Sequence, residues 1–188
     1  MDIFTSAIIA IITGGATKFG EKVVNEAYEL LKLRTSKIFG QNMDPMKSYY
    51  ILSKHNKKCL DVSGWRKDDS AQIQQYRLHK GNNQRWQFVP IDEHYFAIMS
   101  RHSHKCLDVS GWRKEDSVPI QQYALHCGDN QLWELVPAHS GYYQIRSKYS
   151  GKCLDVSGWK KRSGTRIQQY DFHGGDNQLW KIVEAGKI

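Results

Sequence analysis

From Ser48 onward the chain is built of short apolar or alternating runs separated by polar turns. Residues 49–53, Tyr-Tyr-Ile-Leu-Ser, are aromatic and β-branched and predict a first strand. Residues 58–62 predict a second, 73–78 a third and 86–89 a fourth. Gly64, Asp68-Asp69-Ser70 and Gly81-Asn82-Asn83 supply turn chemistry between them. The same order then returns twice. Lys-Cys-Leu-Asp-Val-Ser-Gly-Trp stands at 58–65, 105–112 and 152–159, Ile-Gln-Gln-Tyr at 73–76, 120–123 and 167–170, and Gln-x-Trp at 84–86, 131–133 and 178–180. The step is 47 residues throughout, and nothing interrupts it between Ser48 and Val183. Self-similarity at a fixed period marks one structural unit used repeatedly. Four strands in each of three units predict a mainly β fold of twelve strands closing around a pseudo-threefold axis. Ile51, Leu60, Ile73, Trp86 and Phe88, with their equivalents 47 and 94 residues on, are the expected core.

Residues 1–47 follow a different pattern. Residues 3–12 are almost wholly apolar, but ten residues fall short of the roughly 20 that a membrane-spanning helix needs. Thr13-Gly14-Gly15 breaks that run. Residues 18–39 then carry helical periodicity, with Val23, Val24, Ala27, Leu30, Leu31 and Ile38 near one face and Lys22, Glu26, Glu29 and Lys37 elsewhere. Gly40 is a helix stop. The predicted organisation is a helical segment at 1–40, a linker at 41–47 and a repeat domain at 48–188, divided at 48–94, 95–141 and 142–188. Short helices cannot bury such an apolar face alone. It is expected to pack on the repeat domain, on copies of itself in a homo-oligomer, or on a membrane.

Composition narrows the function classes. The net charge is +8, and residues 1–46 hold five basic and five acidic side chains, so the repeats carry the whole excess. A basic surface can attract nucleic acid, anionic lipid or acidic glycans. Here the charges are scattered rather than run together, so an ordinary basic domain that needs no anionic partner is the favoured description, and a nucleic-acid partner is not expected. Of four cysteines, Cys59, Cys106 and Cys153 are repeat-equivalent and sit beside leucine as small hydrophobes, while Cys127 is extra. Neither one disulfide per repeat nor a zinc-ligand pattern follows. His102 and His104 alternate, but their equivalents are His55/Lys57 and Tyr149/Gly151, so no metal is expected there. With no repeat disulfide and a Met1-Asp2 start unlike a secretory leader, the expected location is cytoplasmic, with non-classical release as a further route. No phosphate loop or asymmetric carboxylate pair appears. The expectation is therefore a non-enzyme without cofactor.

Cys-Leu-Asp-Val, Ile-Gln-Gln-Tyr and Asn-Gln-x-Trp, in triplicate and in this order over residues 47–185, resemble the ricin B-chain type β-trefoil family of lectins and carbohydrate-binding modules. The resemblance implies a β-trefoil with one sugar site per repeat. Asp61, Asp108 and Asp155 would accept from vicinal hydroxyls, Tyr76, Tyr123 and Tyr170 would stack on the pyranose, and Asn83, Asn130 and Asn177 would complete the contact. Gln84, Gln131 and Gln178 would support the pocket, with His79, His126 and His173 nearby. The chemistry suits a sugar, which offers hydroxyl pairs and one C–H face. The same residues have plainer roles open to them, since Asp can cap a turn, Gln can brace a loop and the Trp of Gln-x-Trp suits a core. Trp65, Trp112 and Trp159 are candidate second walls, with the following basic pairs (Arg66-Lys67, Arg113-Lys114, Lys160-Lys161) at the mouth or merely solvated. Many family members bond the repeat cysteine to a second one, where this chain has Leu78, Leu125 and Phe172; an apolar contact is expected instead. The implied function is a multivalent lectin for galactose or N-acetylgalactosamine type glycans or glycoconjugates. The alternative is a membrane-acting effector whose trefoil targets glycans while the N-terminal helices insert or oligomerise.

Overall fold

A computed structural model describes Ser6, Ala10, residues 21–39, Asp44 and residues 46–188. Side chains 34–39 lie outside the description, as do the expected Gly40 stop, most of the apolar run at 3–12 and most of the linker. The twelve predicted strands are all present: β1 (Tyr49–Ser53), β2 (Cys59–Val62), β3 (Ala71–Tyr76), β4 (Trp86–Pro90), β5 (Phe96–Ser100), β6 (Cys106–Val109), β7 (Ile120–Tyr123), β8 (Leu132–Pro137), β9 (Tyr143–Ser147), β10 (Cys153–Val156), β11 (Thr165–Tyr170) and β12 (Trp180–Glu184). β1, β12, β9, β8, β5 and β4 pair in a closed antiparallel ring, with Ile51 opposite Ile182, Phe88 opposite Ile98 and Leu135 opposite Ile145. The hairpins β2–β3, β6–β7 and β10–β11 cover one end of that barrel and pair with one another through β3. This is a β-trefoil.

Closure follows from the repeated apolar pattern. Side chains alternate along a strand, so Leu60 and Val62 of β2 face the common core while Asp61 faces away from it. The core contains Trp86, Trp133 and Trp180, Ile51, Ile98 and Ile145, Leu60, Leu107 and Leu154, and Ile73, Ile120 and Ile167, all fully buried. Each core Trp donates its indole N–H to the carbonyl of the repeat's Leu at 3.0–3.1 Å, so the buried polar atom is satisfied. Ile182 departs from the expectation and is only partly buried. The third strand also starts and ends earlier than predicted, at Ala71 and Tyr76, because Arg77 leaves the ladder and gives its carbonyl to the Gln84 side chain. Its counterpart in the second repeat is shorter still. Pro119 there has no N–H for the ladder and makes only an isolated bridge to Gln168.

Helix α1 (Glu21–Phe39) lies on the trefoil. Ala27 and Leu31, one turn apart and both fully buried, join Val89, Ala97, Met99, Cys106 and Leu132 in a second cluster, with Val23 and Leu125 against it. Of the predicted apolar face, Val23, Ala27 and Leu31 thus pack within the chain, while Val24 and Leu30 are half-buried and outside this cluster. Cys59, Cys106 and Cys153 are buried free thiols. Burial pushes all three up, Cys153 to about 11. In line with the expected apolar replacement for a repeat disulfide, Leu125 packs against the cluster that contains Cys106. The replacement fails at Phe172, which is half exposed.

Candidate functional site

Because Asp61 alternates away from the core, its cross-strand partner on β3 is Gln74, whose Nε2 donates to Asp61 Oδ1 at 2.8 Å. A short 3-10 turn, Asn82–Gln84, brings two more amides to the other carboxylate oxygen. Asn83 Nδ2 and Gln84 Nε2 each donate to Oδ2 at 3.0 Å, and His79 Nε2 lies 3.3 Å from it. The pattern repeats at Asp108, with Gln121, Asn130 and Gln131 at 2.9, 2.9 and 3.1 Å. It repeats again at Asp155, with Gln168 and Asn177 at 3.0 and 2.8 Å. A carboxylate offers about four lone-pair sites. Oδ2 is crowded, whereas Oδ1 accepts from Gln74 alone and keeps a place for a hydroxyl. Burial raises all three carboxyls above the usual range, even though the side-chain donors pull the other way.

Each carboxylate opens on a cleft. The first, about 290 Å³, is lined by Asp61, Trp65, Gln74, Tyr76, His79 and Asn83, with Gly64 and Arg77 at its edge. The second and third, about 360 and 320 Å³, have the same six kinds of residue but no equivalent of Arg77, whose positions hold Ala124 and Asp171. These volumes sit at the small end of the roughly 300–1,000 Å³ range of ligand pockets. Although Asp61, Asp108 and Asp155 are only 2 % exposed, each shares a cleft with its tyrosine and its tryptophan. Gln84, Gln131 and Gln178 are fully buried. They stand behind the carboxylate or loop and hold it, each also tying a backbone carbonyl seven residues back. Asn83, Asn130 and Asn177 give their N–H groups to the Asp and to a Val carbonyl, which leaves each Oδ1 buried without a donor among the described residues.

Trp65, Trp112 and Trp159 each line a cleft. Each indole is about half exposed, at 51, 49 and 48 %. Each lies against the site histidine at 5.7–5.9 Å between ring centroids, and that histidine meets the tyrosine edge-on at 6.0–6.1 Å. The backbone there is strained. Trp65, Trp112 and Trp159 have φ of 55°, 53° and 56°, in the left-handed region that bulky residues avoid, at a cost of about 1–3 kcal/mol each. Gly81, Gly128 and Gly175 make room for the indole. A Cβ on any of them would stand 2.4–2.7 Å from the Trp ring. His79 Nδ1 accepts the Gly81 N–H at 3.2 Å, and His126 Nδ1 the Gly128 N–H at 3.1 Å, so the neutral ring carries its hydrogen on the Nε2 facing Asp.

Two sets of residues complete the site without having been singled out in the sequence. One is the first glutamine of each Ile-Gln-Gln-Tyr, described above. The other holds each Trp loop from the following repeat. Gln122 donates to the carbonyls of Arg66 and Asp68, Gln169 to those of Arg113 and Glu115, and Gln75 to those of Lys160 and Arg162, at 2.7–3.2 Å. His102, Tyr149 and His55 in turn reach the carbonyls of Trp65, Trp112 and Trp159 at 2.7, 2.7 and 2.9 Å. Of the two readings of the basic pairs, the solvated one fits, since none of them lines a cleft. Arg66 is paired with Asp68, Arg113 reaches the Ser110 carbonyl, and Lys114 lies over the Tyr149 ring. Arg77 is the cation that lines a cleft.

No curated protein sequence matches the chain. Among solved structures, it is similar to the designed 3-fold symmetric protein ThreeFoil, at 38 % identity over 72 % of this chain and 97 % of that one, with a TM-score of 0.72. It is 35 % identical to an exo-β-1,3-galactanase from Clostridium thermocellum, with a TM-score of 0.73, over 77 % of this chain but only 31 % of the enzyme. The earthworm R-type lectin C-half, solved with GalNAc, shares the fold at 23 % identity and a TM-score of 0.59, over 73 % of this chain and 98 % of that one. The family model described as ricin-type beta-trefoil lectin domain-like matches residues 38–123 and 129–187. With the fold and all three motif sets in place, the chain belongs to the ricin-type beta-trefoil lectin domain-like family.

Proposed function

We propose that this protein is a multivalent lectin with one saccharide site per repeat and a preference for galactose or N-acetylgalactosamine type glycans. The observation that carries this reading is the coincidence, in each of three clefts, of a carboxylate with a spare acceptor position and a half-exposed Trp held in strained backbone. A barrel needs neither, and a large apolar ring kept at the surface at a cost in backbone energy suits the C–H face of a sugar. The galactose preference draws support from relatives, since the solved structures include a galactanase and lectins in complex with GalNAc and with lactose. Binding rather than hydrolysis fits the clefts, because each is lined by a single carboxylate while glycosidases mostly use an unlike pair.

Three weak sites on one chain raise avidity on a clustered glycan by effective concentration, without any assembly through α1. Calorimetric titration with lactose and with N-acetylgalactosamine tests the reading, with a stoichiometry near three expected. Loss of all heat in the folded Asp61→Ala/Asp108→Ala/Asp155→Ala variant is the second expected result. A wild type that binds neither sugar, or a triple variant that binds as well, overturns it.

A further inference from the structure

The threefold pattern is broken at one seam, and the break leaves a cationic cavity away from the sugar clefts. Where the third repeat meets the first, Lys54 Nζ pairs with Asp176 Oδ1 at 2.7 Å. Where the second meets the third, Lys148 Nζ pairs with Asp129 Oδ1 at 3.0 Å. Arg101 occupies the same place between the first repeat and the second, and the backbone bond is kept there, Arg101 N–H to the Arg85 carbonyl at 2.9 Å. The acidic partner is not kept: its position holds Asn82. In addition, Arg85 replaces the leucine found at the other seams as Leu132 and Leu179. A neutral pair beside a leucine has become two guanidinium groups.

Both line a cavity of about 340 Å³ together with Lys47, Ser48, Glu184 and Gly186. The guanidiniums are anchored by neutral acceptors, Arg85 Nε by the Tyr50 hydroxyl at 3.3 Å and Arg101 Nη1 by Gln87 Oε1 at 2.9 Å. Neither has a carboxylate partner among the described residues. Glu184, the cavity's acid, is already held by Lys47 at 2.8 Å and Lys187 at 3.3 Å. We infer that this seam is an anion site that takes a phosphate or sulfate group. Two guanidinium forks with N–H groups left over match the oxygens of a tetrahedral oxyanion. The space exceeds a bare ion, so the group can arrive as an ester on a small carrier.

The test is an NMR titration of the ¹⁵N-labelled full chain with inorganic phosphate, inorganic sulfate, glucose 6-phosphate and glucose 6-sulfate, at constant ionic strength held with chloride. Saturable shifts of the Arg85 and Arg101 side-chain signals are expected. Tighter binding of the esters identifies an ester as the source, and equal binding identifies the free ion; either result supports the site. Asn82→Asp/Arg85→Leu installs residues the chain already uses at its other two seams, and is expected to weaken the anion at least tenfold while lactose binding is unchanged. Arg85→Gln serves if the double variant does not fold. Shifts that fail to saturate, or anion affinity unaltered in the variant, overturn the inference. Lactose binding is read separately, so the anion site and the lectin reading can fail independently.

Discussion

His102 donates its Nε2–H to the carbonyl oxygen of Trp65 at 2.7 Å and meets the indole edge-to-face, at 5.3 Å between centroids and 88° between planes. One residue thus fixes both the backbone and the ring of another, 37 positions earlier and in a different repeat. Tyr149 does the same for Trp112, and His55 for Trp159, at 5.3 Å in each case. The strained φ of each tryptophan persists because these partners and the glutamine clamps over-determine it.

Removing one strut is expected to weaken one site. His102→Ala deletes both the hydrogen bond and the ring contact, so it should lower sugar affinity at the first cleft by more than the roughly fivefold that a hydrogen bond of about 1 kcal/mol carries, and leave the other two unchanged. Tyr149→Phe keeps the ring and deletes only the hydroxyl, so a smaller loss confined to the second cleft is expected. Site-resolved NMR titration of the indole signals reads both.

The site carboxylates should act on stability and on binding with opposite signs. Burial holds Asp61, Asp108 and Asp155 above the usual carboxylate range. The folded chain therefore keeps those protons more tightly than the unfolded one. Between the ordinary and the raised values, these groups make stability fall as pH rises, and above that window their full penalty is present. Binding requires the ionised form and should strengthen over the same window. Asp69, Asp176 and Glu184, lowered by their lysines, contribute the opposite slope to stability. The difference in melting curves between wild type and the Asp61→Asn/Asp108→Asn/Asp155→Asn variant isolates the site. The variant is expected to be no less stable at neutral pH while its affinity drops about 10–100-fold, the range for a charge-assisted hydrogen bond of about 1.5–3 kcal/mol.

Gly81→Ala should abolish the first site without backbone strain. Its φ of −69° suits any residue, but the new Cβ would meet Trp65 Cη2 at 2.6 Å and His79 Cε1 at 2.7 Å. Displacement of both rings is the expected consequence, visible as loss of one site in the titration with the fold retained by circular dichroism.

The clefts should differ in their response to charge. Arg77 lines only the first, has no ion pair among the described residues, and is replaced by Ala124 and Asp171 in the others. Galacturonate, compared with galactose, is expected to favour the first cleft up to about fivefold, the scale of an exposed ion pair of about 0.2–1 kcal/mol. Arg77→Ala should remove that preference, as read by site-resolved NMR at low and high salt.

The strands and core were legible because apolar spacing repeats with the same 47-residue step, and threefold copies of Trp86 and Leu60 reinforce one another. The carboxylate, aromatic and amide were legible as chemistry. Gln74 was hidden because its part depends on lying opposite Asp61 in a ladder, a relation that sequence spacing does not display. The struts were hidden for another reason: His55, His102 and Tyr149 are not the same residue type, so comparing repeats dilutes the signal. Arg85 and Asn82 likewise become informative only when the seam they interrupt is seen beside the two intact ones.

Since every tryptophan wall leans on the repeat that follows, and the last leans on the first, no single unit completes a cleft by itself. A polypeptide that has emerged only as far as its second unit can finish one cleft at most, and the third must wait for the first and last strands of the trefoil, β1 and β12, to pair. For the proposed lectin, full saccharide valency is then a property that switches on with ring completion, so the stoichiometry of sugar uptake would gauge how many molecules in a preparation have folded to the end.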